Sequence, residues 1–236
     1  MDRLRSRQYG IILVAISAVL WSTAGLFVRM ADLDTWTIIA WRSMFSFGAL
    51  GCIAAIQHRG DLIRTITRLG WPGVTSVAVS VVATISYVMA LRLTTVANVM
   101  IIYAALPFIT TAIAFVWLRE RVTPRFLAAG TVALAGIAIM AGTAATSRDI
   151  AGIVAAFVMT AGFATQLVHT KRHPALDMTI VSGLTAAVCV PITVPLMQAG
   201  IPAPAQLLAC GLAAAGGWRA GAGGAALQHL ARHRPR

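Results

Sequence analysis

From Met178 to Trp218 the chain carries no Asp, Glu, Lys or Arg. A membrane-crossing helix needs about 20 predominantly apolar residues, so this run is long enough for two. Shorter uncharged stretches fill most of the remaining sequence: Gly10–Val28, Thr35–Gln57 interrupted by Arg42, Leu69–Leu91, Leu93–Leu118, Phe126–Ser147 and Ile150–Val168. The composition agrees, with 58% hydrophobic and 11% charged residues against roughly 45–50% and about 25% in soluble domains. The sequence therefore predicts an all-α, polytopic membrane helical bundle. At roughly 25–30 residues per span plus loop, 236 residues hold about eight spans and no sizeable extramembrane domain. The break in the last run falls at Gln198–Pro204, where Gly200, Pro202 and Pro204 cluster as helix punctuation. A soluble enzyme, a secreted disulfide scaffold and a disordered chain are excluded.

The formal charge of +12 suggests nucleic acid until it is located. The basic residues lie almost entirely between the apolar stretches, where they set membrane orientation instead. Arg3, Arg5 and Arg7 precede the first span; Arg59, Arg64 and Arg68 follow the second; Arg119, Arg121 and Arg125 follow the fourth; Lys171 and Arg172 follow the sixth. The alternate loops hold only Arg29, Arg92 and Arg148. This bias predicts a cytoplasmic N-terminus, multi-pass insertion in the inner or plasma membrane, and no nucleic-acid partner. Gly10–Val28 is longer than a signal-peptide apolar region and further spans follow, so it reads as a retained first helix. Cys52, Cys189 and Cys210 all fall inside apolar stretches without metal-ligand spacing and read as small core side chains.

The chain repeats itself weakly. Ala18-Val-Leu-Trp-Ser-Thr-Ala-Gly25 and Leu33-Asp-Thr-Trp-Thr-Ile-Ile39 are echoed by Ala156-Phe-Val-Met-Thr-Ala-Gly162 and Leu176-Asp-Met-Thr-Ile-Val181. The copies are offset by five helices, an odd number that inverts the second in the membrane, as in many secondary transporters.

The stretch from Ala90-Leu-Arg-Leu-Thr-Thr-Val-Ala-Asn-Val-Met100 through Pro107 to Leu118-Arg-Glu-Arg-Val-Thr-Pro124 resembles the EamA-type permeases of the drug/metabolite transporter superfamily. A short Thr/Ala loop, an internal Pro and a Glu-Arg turn carry the likeness. Trp21, the Trp41-Arg42 pair and the Gly/Ala-rich Ala128–Gly142 also fit. The resemblance covers residues 10–200 and implies a ten-helix permease of two inverted five-helix repeats with both ends on the cytoplasmic side. On that reading residues 1–147 form the first repeat, 148–218 a partial second repeat, and 219–236 a basic tail that is disordered or out of frame. The second copy lacks its own Thr/Ala loop, Pro helix and Glu-Arg turn, and five glycines between Gly216 and Gly224 cost a helix about 1 kcal/mol each relative to Ala. A truncated or frameshifted second repeat is the expectation.

Helical rise gives depth. At about 1.5 Å per residue, Trp21 and Arg42 lie about 10 Å below the outer ends of their helices, Tyr87 and Asn98 about 6 Å, and Tyr103 about 13 Å. These five residues are the predicted substrate-binding layer. Competing readings stand beside each: Trp and Tyr near an interface serve as belt anchors, and Asn98 as an interhelical hydrogen-bonding group. A charge at mid-span costs at least about 2.5–3.5 kcal/mol, so Arg42 either snorkels outward or faces the bundle interior, on backbone carbonyls or an anionic substrate group. Pro107 interrupts the backbone ladder of its helix and is a candidate hinge. Glu120 at a helix end reads as a solvated ion-pair partner, and Gln166 and His169 as residues near the inner interface.

All seven acids (Asp2, Asp32, Asp34, Asp61, Glu120, Asp149 and Asp177) lie outside spans or at their ends. There is no P-loop, no metal-ligand spacing, no Gly-x-Ser-x-Gly and no carboxylate pair, so the reading assigns no cofactor, no metal and no enzymatic activity. The function expected is an integral membrane permease moving a small metabolite or drug-like solute by alternating access. An inserted but transport-inactive truncated permease and a membrane-embedded lipid-modifying enzyme are the alternatives. The expected partners are a small-molecule substrate and the lipid bilayer, and a homo-oligomer is compatible with the architecture.

Overall fold

The computed structural model describes Val28, residues 33–58, 61–119, 123–143, 147–197 and 202–212, and Ala214. Every regular element among them is helical. In chain order these are α1 (Thr35–His58), α2 (Leu62–Arg68), α3 (Gly70–Leu93), α4 (Val96–Tyr103), α5 (Leu106–Leu118), α6 (Pro124–Thr143), α7 (Ser147–Arg172) and α8 (Met178–Thr193), the last continuing as a 3-10 turn, Val194–Leu196. Residues 204–212 are helical as well. Thr35–Gln57, Gly70–Leu93, Val96–Leu118, Ile150–Arg172 and Met178–Leu196 are long and apolar enough to cross a membrane, and Phe126–Gly136 is a shorter apolar helix. Outward-facing Ile56, Val116, Val132 and Ile139 are exposed, an arrangement that suits hydrocarbon rather than water. The first predicted span lies outside the described residues except for Val28, as do Trp21, Glu120, residues 198–201 and the tail.

Local sequence sets the helix ends. Asp34 Oδ2 accepts from the Trp36 N–H at 3.0 Å, and Asp177 Oδ1 from the N–H groups of Thr179 and Ile180 at 2.8 and 3.4 Å. Each carboxylate satisfies donors that the first helical turn leaves without intrahelical partners. The two copies of the Leu-Asp echo thus do the same job, at the starts of α1 and α8. Gly70, at φ +56, occupies the left-handed region that separates α2 from α3. Thr95 caps α4 by accepting from the Asn98 N–H at 3.2 Å. Gln206 Oε1 reaches back to the Ala203 N–H at 2.9 Å, the side-chain half of a capping box.

The sequence reads Leu93–Leu118 as one helix interrupted by Pro107. In the structure that span is two helices. The ladder tightens at the end of α4, where the Ala105 N–H bonds to the Ile102 carbonyl at 3.0 Å, and restarts with Phe108 and Ile109 both donating to Ala105. Pro107 therefore sits in the first turn of α5, where a missing N–H costs nothing. Farther on, α8 ends at Thr193, two residues past Pro191, the chain continues as the 3-10 turn to Leu196, and residues 204–212 are helical; most of the predicted break at Gln198–Pro204 lies outside the described residues.

The chain divides into two compact units. One comprises residues to Gly73 together with those from Ala175 onward, and there α1 packs along α8. Ile38, Ile39 and Ala40 of α1, and Ile180, Val181 and Cys189 of α8, are buried. A Cβ built on Gly183 would stand 3.7 Å from that of Leu50, and one on Gly211 would stand 4.0 Å from the Phe45 ring, so α8 and helix 204–212 both approach α1 closely. The other unit is Val74–Pro174, in which α7 packs against α4 and α5.

Replacing Asp177 with Ala removes two side-chain acceptors at the start of α8. We expect a loss of about 1 kcal/mol, read as a lower unfolding midpoint and faster amide exchange at Thr179 and Ile180. Unchanged exchange at those amides would show that the carboxylate is not the cap.

Candidate functional site

Arg42 lies two turns into α1, about 10 Å from its start, and is half-buried. Its charge acts on the thiols of Cys189 in α8 and Cys210 in helix 204–212. Ser43, buried beside it, hydrogen-bonds with Cys189 through their side chains. Elements of one unit, α8 and helix 204–212, thus bring a thiol within electrostatic range of the guanidinium. Trp41 adds an indole Nε1–H that is buried and makes no hydrogen bond among the described residues, with its ring 6.2 Å from Phe45. A buried donor left without an acceptor costs about 1–3 kcal/mol. The sequence offered the Trp41-Arg42 pair, but only as part of a resemblance.

Tyr87, Asn98, Tyr103 and Pro107 belong to the other unit. Tyr87 is buried in α3. The Asn98 side-chain amide donates to Thr94 Oγ1 at 3.0 Å, one turn back, so the side chain fastens the α3–α4 junction. Tyr103, half-buried, meets Phe163 of α7 edge to face, with ring centroids 6.2 Å apart. Pro107 stands at the α4–α5 break, and the Thr110 hydroxyl beyond it is buried with no hydrogen-bond partner among the described residues. Asn98 and Tyr103 thus share α4, while Arg42 is built into a different unit.

The structure also gives a setting to Gln166 and His169, which the sequence placed near the inner interface, and adds Thr75, Ser76 and Trp117 to them. Gln166 Nε2 donates to Ser76 Oγ at 2.9 Å, and His169 is buried, with Nε2 3.3 Å from the Thr75 hydroxyl. Trp117 lies 5.7 Å from the His169 ring and carries the Arg172 guanidinium 5.4 Å over its own ring. His173, just past the end of its span, is held below its ordinary pKa, by desolvation first and by the charges of His169 and Arg172 second.

Apolar helices of membrane-crossing length, one with a guanidinium inside it, define a multi-pass membrane protein. The EamA-like transporter family matches residues 8–142. The chain belongs to that family, and the class is therefore a membrane transporter. A solved crystal structure of a protein superposes with a TM-score of 0.66 at 20% identity, covering 94% of this chain and 78% of the other; at that identity the likeness is one of fold. No curated protein matches the chain.

Proposed function

We propose that the chain is a permease that moves a small solute bearing an anionic group across the inner or plasma membrane by alternating access. The observation that carries this reading is Arg42. A charged side chain inside a membrane span is costly, and such residues line substrate or ion paths. Here the guanidinium of α1 is within electrostatic range of Cys189 in α8 and Cys210 in helix 204–212. Its planar fork pairs two oxygens of a carboxylate or phosphate. Tyr87, Asn98 and Tyr103 are the further substrate-facing residues of the reading, Trp21 among them on the first span, with Pro107 as the hinge. The solute and the bilayer are the partners, and no catalytic step is assigned to the chain.

The experiment is flux of small carboxylates across lipid vesicles carrying the chain, compared with empty vesicles. Flux above the empty-vesicle rate supports the reading; equal rates in both contradict it.

Orientation follows the loop charges, with the N-terminus on the cytoplasmic side. In a background lacking Cys52, Cys189 and Cys210, single cysteines at positions 60 and 122 should react with an impermeant thiol reagent from the cytoplasmic face, and those at 33 and 149 from the outer face. Labelling from the opposite sides would overturn the topology.

A further inference from the structure

At the end of α7 that carries Lys171 and Arg172, side chains from three helices of the Val74–Pro174 unit converge on one imidazole. His169 is 6% exposed. Its Nε2 meets the Thr75 hydroxyl of α3 at 3.3 Å, its ring stands 5.7 Å from Trp117 of α5, and His173 lies 4.7 Å away. One turn earlier Gln166 donates to Ser76, while its Oε1 is buried and accepts from none of the described residues. We propose that this cluster is a proton-binding site of the permease, with His169 as the group that takes the proton.

Imidazole is the side chain whose charge ordinarily changes between about pH 5 and 8. Ionisable groups within membrane spans commonly belong to proton relays. The surroundings of His169 suit both of its charge states. A hydroxyl both donates and accepts, so Thr75 keeps its bond to Nε2 whether that nitrogen is bare or protonated. Three features favour the imidazolium: the Trp117 ring, within the reach of about 6 Å for a cation–π contact; the negative end of the α7 dipole; and the buried acceptor of Gln166 on the same face of α7, three residues away.

The opposing groups are also cationic or titratable. From α7 they are Lys171, Arg172 and His173; from the end of α5, Arg119. The α3 helix contributes the neutral hydroxyls of Thr75 and Ser76, and α4 the Tyr103 phenol opposite Phe163, about 9 Å farther along α7. Asp149 stands at the far end of α7, about 30 Å away. Glu120 lies outside the described residues. His173 is held below its ordinary pKa by desolvation first and by His169 and Arg172 second, and His169 is the imidazole that Thr75 and Trp117 enclose. A positive charge then stands beside Arg172 where α3, α5 and α7 meet. Its repulsion loosens that contact, so a proton gradient acts on the helix ends that alternating access must part. That last consequence rests on the permease reading; the proton site does not.

The test is the emission of Trp117 in the full chain reconstituted in lipid vesicles, isolated by subtracting the signal of Trp117→Phe. An imidazolium quenches a neighbouring indole, so the emission should fall through one transition between about pH 8 and 5. The transition should vanish in His169→Gln. In His173→Gln it should persist, because His173 is not the group that takes the proton. Thr75→Val, which deletes the hydroxyl acceptor and keeps the shape, should lower the midpoint, and it carries the test if His169→Gln does not fold. A flat wild-type titration, a transition unchanged in His169→Gln, or an unmoved midpoint in Thr75→Val would overturn the proposal. The titration needs no transported solute, so absent flux in the vesicle assay bears on the permease reading alone.

Discussion

Replacing Gly152 with Ala should destabilise the protein more than any other single-methyl change in α7. A Cβ at that position would lie 2.6 Å from Thr94 Cβ, 2.8 Å from the Thr94 backbone nitrogen and 2.9 Å from the Leu93 carbonyl carbon. Two of these atoms are backbone at the α3–α4 junction and have no rotamer to yield. Overpacking of this kind costs about 1–3 kcal/mol. Thr94 also holds the Asn98 amide, so the displacement reaches the start of α4. Gly136 of α6 is the control, because nothing lies within 4 Å of its Cβ direction. There Ala removes a helix penalty of about 1 kcal/mol and should be neutral or stabilising. Thermal unfolding of the two variants in detergent should move in opposite directions. A Gly152→Ala midpoint equal to wild type would mean that α7 does not approach the junction as closely as described.

Substitutions at Arg42 should follow the order Arg above Lys above Gln in transport, with all three inserting equally. Lys keeps the charge and loses the fork that engages two oxygens; Gln keeps hydrogen-bonding capacity and loses the charge. Removing one member of a hydrogen-bonded charge pair typically costs 2–5 kcal/mol, which corresponds to at least about a tenfold loss of affinity. Normal transport by Arg42→Gln would make the residue a snorkelling anchor. Loss of stable insertion in Arg42→Gln would make it a structural hub for Ser43, Cys189 and Cys210.

Much of the fold was legible because its rules are local. Uncharged runs of membrane-crossing length read directly as helices, and the proline and glycine cluster after Met197 read as a break. The repeated Leu-Asp pair was legible as an echo, and its role, an Asp capping the start of a helix in each copy, came from the structure. Which helix packs on which was not legible. Helices such as α1 and α3 are apolar around most of their circumference, so no polar face marks the outside and no periodicity selects the partner. The pairing of α1 with α8 rests on close approaches such as Gly183 against Leu50, far apart in sequence.

The candidate site divides the same way. Arg42 stood out because a charge inside a span is conspicuous in one dimension. His169 did not, because a histidine near the end of a span is common at interfaces. Its burial comes from Thr75 and Trp117, distant in the chain. Trp41 was read only as half of a pair, since the burial of its indole nitrogen depends on neighbours that sequence does not name. The capping bond of Asn98 to Thr95 is a local pattern, and the Thr94-Thr95 doublet was its signal.

On the proposed function the chain carries an anionic solute past Arg42. Counterflow in vesicles tests it most directly. Vesicles bearing the wild-type chain are loaded with an unlabelled small carboxylate and given the labelled form outside, in parallel with its neutral amide and with Arg42→Gln vesicles. Transient accumulation of the labelled carboxylate is expected in wild-type vesicles, with little for the amide and a loss of about tenfold or more in Arg42→Gln. Equal accumulation of carboxylate and amide, or wild-type traces no different from empty vesicles, would contradict it.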